Sequence, residues 1–172
     1  MECSDRQLLQ ARKFRVVERT EQRAAGPVRQ EIILHPGAVA IIPVVAENRL
    51  CLIKNRRMAV GETLLELPAG TRESNESPLV TAARELREET GFTADTMLPM
   101  GTCWMSPGIL QEQISFFVAR GLTAGAPALE EDEQIENQIL NQSDALEMIL
   151  DGRIKDAKTI VGLLLFERTE MT

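Results

Sequence analysis

The sequence predicts an α+β sandwich, and three observations carry that reading. β-branched runs crowd the middle of the chain, Val39 to Val45 and Arg49 to Ile53 above all. Helical apolar spacing appears around Leu86 and again from Ala157 to Arg168, flanking the strand-rich middle. The length, 172 residues, suits one domain with a full core rather than two, so residues 1–172 are taken as a single unit. Sheets and helices so distributed bury their apolar faces against one another in layers.

Taken in order, residues 1–13 are polar and predict a short helix or a loose tail. Phe14 to Val17 and Gln30 to Leu34 read as strands around a turn at Gly26-Pro27. Ala46-Glu47-Asn48 separates the two β-branched runs and predicts a hairpin. Leu64 to Leu67 forms a short strand stopped by Pro68. A helix opens at Ser77-Pro78, because serine caps exposed amides and proline suits the first turn, and it stops at Gly91. Its expected apolar side is Leu79, Val80, Ala82, Ala83 and Leu86. Ile114 to Ala119 is a strand, Gly121 to Ala128 a loop, Glu130 to Glu136 an acidic stretch, and Gln138 lies in a further strand. Helices over Ser143–Asp151, with Ser143 as cap, and Ala157–Arg168 complete the chain.

Composition narrows the function. A formal charge of −7 opposes nucleic-acid binding, which rests on neutralising phosphates with Lys and Arg. With aromatics at 3% and no tyrosine, a base-stacking platform is excluded as well. No stretch approaches the roughly 18 apolar residues of a membrane helix, and Cys3, Cys51 and Cys103 form no metal or redox pair, so a reducing cytoplasmic setting is expected. A small phosphate-bearing substrate remains compatible if divalent cations stand between it and the carboxylates.

Chemistry concentrates between Gly70 and Phe92. Glu85, Glu88 and Glu89 stand at i, i+3 and i, i+4, on one side of the predicted helix, where like charges repel by a few tenths of a kcal/mol per pair. Taken alone, they could be a solvated face paired with Arg84 and Arg87, or hard oxygen ligands gathered for Mg²⁺. The flanking residues favour the second. Gly70, Glu76, Arg84, Glu85, Leu86, Glu88, Glu89, Gly91 and Phe92 read G-x5-E-x7-R-E-L-x-E-E-x-G-F, which resembles the Nudix hydrolase signature at every fixed position.

That resemblance implies an α/β/α sandwich with a mixed central sheet and an N-terminal antiparallel β extension. It implies metal ligation by Glu85, Glu89 and the Ala69 carbonyl, assistance from Glu88, and orientation of the glutamates by Arg84. The cofactor implied is Mg²⁺, with Mn²⁺ a substitute, and the reaction is hydrolysis of a nucleoside diphosphate linked to another group.

His35-Pro36-Gly37-Ala38-Val39, Arg57 to Gly61, Leu65 to Gly70, and Pro107 placed 16 residues after Gly91 are similar to the ADP-ribose pyrophosphatase branch. By that likeness Arg57, Glu66, Pro107 and Glu112 bind or shape the substrate, Glu131 is the general base and Glu133 a further metal ligand. Residues 1–35 would serve a homodimer and residues 36–172 the catalytic core. His35 reads as structural, and Trp104 as a core residue or a stacking surface. Two departures from the branch stand out: Gln111 occupies a position often acidic, and no tyrosine is available to stack an adenine. The alternatives are a GDP-mannose-type pyrophosphatase and a non-catalytic nucleotide-binding module, the latter disfavoured because all three glutamates are retained.

Overall fold

The structure, a computed structural model, describes residues 3–129 and 134–170. Among the described residues, ten strands join into one mixed sheet. β1 (Cys3–Gln10), β2 (Arg15–Arg23) and β3 (Gly26–Leu34) form an antiparallel meander. It meets the remainder of the sheet where Ile33 and Leu34 pair in parallel with Leu110 and Gln111 of β9 (Leu110–Ala124). β4 (Ala38–Ala46) runs parallel to β9 and antiparallel to β5 (Arg49–Arg57), which carries β6 (Glu62–Glu66) along part of its length. β7 (Ala69–Thr71) pairs with β4, β8 (Phe92–Ser106) with β9, and β10 (Ile135–Asn141) with β5.

Side chains of a strand alternate between faces, and β4 shows how this builds two cores. Val39 and Ile41 face α1 (Pro78–Thr90), packing with Ala82, Leu86 and Phe117. Ala40 and Ile42 face the other side, with Leu52, Phe116, Leu163 and Phe166. That side is covered by α2 (Gln142–Leu150) and α3 (Ala157–Glu170). Gly162 lets α3 approach closely, since a Cβ there would lie 2.5 Å from Leu67 Cδ1. The result is the α/β/α sandwich with a mixed sheet and an N-terminal antiparallel extension.

Several local expectations are corrected. Residues 3–10 form a strand rather than a helix or tail: their pairing with β2 is nearly continuous, and ion pairs such as Arg19–Asp5 (2.7 Å) lie across it. All eight residues are exposed, so no apolar alternation announced this strand. The β2–β3 turn falls at Ala24-Ala25, with Gly26 and Pro27 already paired in β3. Leu79 and Val80 are exposed, and the buried face of α1 is instead Thr81, Ala82, Glu85, Leu86 and Glu89. Phe92–Ser106, to which the sequence assigned no element, is a long strand zipped to β9, which itself continues through Gly121 to Ala124 instead of giving way to a loop at Gly121. Asn141, not Ser143, occupies the N-cap of α2. Among the described residues no helix is long and apolar enough to cross a membrane, and Cys3, Cys51 and Cys103 are all free thiols.

Candidate active site

α1 is placed by its two ends. The Ser77 hydroxyl accepts a hydrogen bond from the Val80 amide, and Gly91 closes the helix in the left-handed region (φ 78°) while donating to the Arg87 carbonyl. One helix face thus lies against the loop that begins at Gly70. The Glu85 carboxylate packs directly over Gly70: a Cβ there would fall 1.9 Å from its carboxyl carbon, so any larger residue displaces Glu85. Glu89 is almost fully buried and accepts a hydrogen bond from the Ala69 amide at 2.8 Å.

Arg84 organises this wall. Its Nη1 donates to Glu85 (2.7 Å) and Glu88 (2.9 Å), and its Nε and Nη2 grip Glu76 at 3.1 and 3.0 Å. Nη2 also reaches the Thr71 carbonyl. The guanidinium holds the Glu76 carboxyl down at about 2, and the surrounding carboxylates push Arg84 further above its ordinary value. The fixed fork of Arg suits such multidentate work.

A cleft of about 1050 Å³ opens over these residues. Ala69, Gly70, Glu85, Glu88 and Glu89 form one wall, while Arg57, Asp156 and Lys158 stand in the other. Glu112 and Ala38 also line the cleft, as do Arg12 and Lys13 of the β1–β2 turn. Glu112 Oε1 sits 3.4 Å from His35 Nδ1, which accepts the Gly37 amide, so His35 is a structural support of this edge.

The sequence-predicted residues fall into four groups. Glu85, Glu88, Glu89, Ala69, Arg84, Arg57 and Glu112 all line the cleft. Glu66 lies one layer behind, its side chain 1% exposed, beneath Arg57. Pro107 lines a separate depression with Trp104, which is half exposed, and Ile109. Glu131 and Glu133 lie outside the described residues; the chain leading to them lines the cleft at Ala128 and Leu129, with the Ala128 amide bonded to the Glu88 carbonyl. Sequence reasoning missed Lys158 and Asp156. The aspartate was recoverable as a capping residue one position before α3, whereas nothing local marked the lysine.

The acidic wall fits a divalent cation. Its donors are hard oxygens, and the cradle at Gly70 would be filled by any larger residue. Among the described residues, no three acidic, histidine or cysteine side chains converge as a closed ligand set. A cation here would take remaining ligands from substrate phosphate and water, as Mg²⁺ prefers.

Residues 34–161 match the NUDIX domain family. The chain is 39% identical over 137 residues to the methanol dehydrogenase activator of Bacillus methanolicus, covering 78% of this chain and 74% of that protein. It is 36% identical to the ADP-ribose pyrophosphatase of Bacillus subtilis (strain 168) over the same shares. A crystal structure of an ADP compounds hydrolase superposes with a TM-score of 0.81 at 22% identity, covering 96% of this chain and 90% of that one. Dependence on a divalent metal goes with the family. With the signature cradle intact and the family matched across most of its length, this chain belongs to the NUDIX domain family.

Proposed function

We propose that this chain, a pyrophosphohydrolase of the Nudix family, cleaves ADP-ribose to AMP and ribose 5-phosphate with Mg²⁺, for which Mn²⁺ can substitute. The observation that carries this reading is one cleft lined both by the carboxylates of Glu85, Glu88 and Glu89 and by the Arg57 guanidinium, which Glu66 and Lys158 back. A bridging diphosphate needs both, cations against its oxygens and a site for the attacking water. Similarity to an ADP-ribose pyrophosphatase supports the choice of substrate.

Glu85, Glu89 and the Ala69 carbonyl would hold the metal, which when bound neutralises phosphate oxygens and lowers the pKa of the attacking water. Arg84 keeps Glu85 and Glu88 aligned, and Arg57, held by Glu66 through Nε and Nη2, offers its remaining Nη1–Nη2 edge to the second phosphate. Glu112 borders the ribose-side space. Glu131 is proposed as general base and Glu133 as a further metal ligand, because the chain enters the cleft at Leu129 immediately before them. Pro107 is assigned a part in shaping the substrate site by likeness alone, and its depression is separate from the cleft. A homodimer built on residues 1–35 is proposed as well, with residues 36–172 as the catalytic core. The proposed setting is the cytoplasm, in keeping with three free thiols, of which Cys51 is buried and pushed up to about 11.

The test is Mg²⁺-dependent turnover of ADP-ribose beside GDP-mannose, UDP-glucose, NADH and diadenosine polyphosphates, with products separated by chromatography. AMP formed fastest from ADP-ribose is expected. Faster turnover of another diphosphate would reassign the substrate, and no turnover with metal present would favour a binding module.

A further inference from the structure

The wall opposite the signature rests on one buried carboxylate. Glu66 is fully buried, yet two cations meet it: Arg57 through Nε at 2.8 Å and Nη2 at 2.6 Å, and Lys158 through Nζ at 2.5 Å. Lys158 is itself nearly buried, at 11% side-chain exposure, whereas Arg57 is 41% exposed and faces the cleft. A second carboxylate, Asp156, receives Lys158 Nζ at 3.0 Å and caps α3 by accepting the Thr159 amide and hydroxyl. Thr159 Oγ1 in turn accepts the Leu67 amide at 2.8 Å, in the segment joining Glu66 to Ala69. The N-terminal turn of α3 is therefore bonded both to the carboxylate that holds Arg57 and to the backbone that leads to the signature loop.

A buried carboxylate with a single cation partner is poorly compensated, and its side chain can settle in more than one geometry. Arg57 bonds both oxygens, and Lys158 adds a second bond to Oε2 that ties the carboxylate to Asp156 and the start of α3. We propose that Lys158 is a positioning residue: anchored by Asp156, it locks Glu66 in the orientation that presents the Arg57 guanidinium to the substrate diphosphate. It acts through Arg57 and not by touching substrate, because its ammonium is already shared between Glu66 and Asp156. The proposal rests on the diphosphate reading of the cleft and adds to it the device that orients its cationic wall.

The experiment is a double-mutant cycle on the full chain, read as KM and kcat on whichever diphosphate of the substrate panel the wild type turns over fastest. Lys158→Met, neutral and of similar length, should raise KM by about tenfold and change kcat by less than about twofold, the pattern of lost ground-state binding. In an Arg57→Ala background the same substitution should change KM by less than about twofold, because residues acting as one unit are non-additive. Lys158→Arg should recover most of the loss. Equal effects of Lys158→Met in both backgrounds would overturn the proposal and make Lys158 a direct substrate contact, as would a fall in kcat at unchanged KM. Thermal unfolding accompanies each variant, and Lys158→Gln, which keeps a hydrogen bond to Glu66, replaces the Met variant should that one not fold. Failure of the substrate assignment shows in the wild type alone, whereas failure of the relay shows in the ratios between variants.

Discussion

The two walls of the cleft are built on different principles. The acidic wall is local: Glu76, Arg84, Glu85, Glu88 and Glu89 lie within one loop and one helix, and every ion pair among them spans eight residues or fewer. The cationic wall is assembled across the fold, with 92 residues of chain separating Lys158 from Glu66 and nine separating Arg57 from it. A local wall leaves its order written in consecutive sequence. A non-local one depends on the sheet and on α3 being in place first, so its chemistry and its stability are coupled more tightly.

The largest effect is expected from Glu85→Gln on the acidic wall. Turnover should fall by roughly a thousandfold, the scale of losing one preorganised charge-stabilising group, with little change in unfolding temperature. The carboxyl's partners, Arg84 and the cradle at Gly70, can accept a neutral amide of the same shape. Full activity in a folded Glu85→Gln protein would remove Glu85 from the metal-holding set.

On the opposite wall, Glu66→Ala should act chiefly on folding. It leaves Lys158 buried beside Asp156 and frees Arg57, and removal of one partner from a buried ion pair costs about 3–5 kcal/mol. Chemical denaturation measures it. A loss below about 1 kcal/mol, the range of exposed pairs, would mean that water reaches this site and that the walls differ less than their burial suggests.

How much could be read beforehand follows the same division. The signature helix, its Ser77 cap and its Gly91 stop were legible because capping, helical spacing and the fixed glutamates are all short-range features. The β4–β5 hairpin was legible too, its turn marked by Asn48 at positive φ. β1 was not, since a strand with every side chain exposed has no apolar alternation to show. Nor was the burial of α1: Glu85 and Glu89 occupy its inner face because the cradle at Gly70 and the Ala69 amide receive them, while Leu79 and Val80 point outward. Lys158 carried no local mark at all, and its partner Glu66 was identified by likeness without its burial being foreseen.

Gly70→Ala acts where the acidic helix meets β7. The new methyl would overlap the Glu85 carboxyl, the far end of a flexible side chain, so Glu85 must swing out of its place, at no more than about 1–3 kcal/mol for overpacking. Unfolding temperature should fall modestly and activity much more, because the displaced group is the one on which the acidic wall depends. Comparable losses in both would indicate that the backbone of β7 or α1 shifts and not the Glu85 side chain alone.

The smallest effect is a matter of pH. Glu76 is held at about 2 chiefly by its hydrogen bonds with Arg84, below its ordinary value of 4.5. A carboxylate whose pKa is lowered by folding stabilises the fold fully above its unfolded value and loses that contribution as pH falls toward the folded one. The window is therefore pH 4.5 down to 2. Wild type should be more stable than Glu76→Gln at pH 6, and the gap should close across that window as both forms come to carry a neutral side chain. Glu76 is a partly exposed carboxylate at the edge of the acidic wall, so solvent screening keeps the gap small. Thermal melts of the pair at several pH values decide it: a gap independent of pH would assign the effect of Glu76 to its bonds with Thr81 and the Glu73 amide rather than to its charge on Arg84.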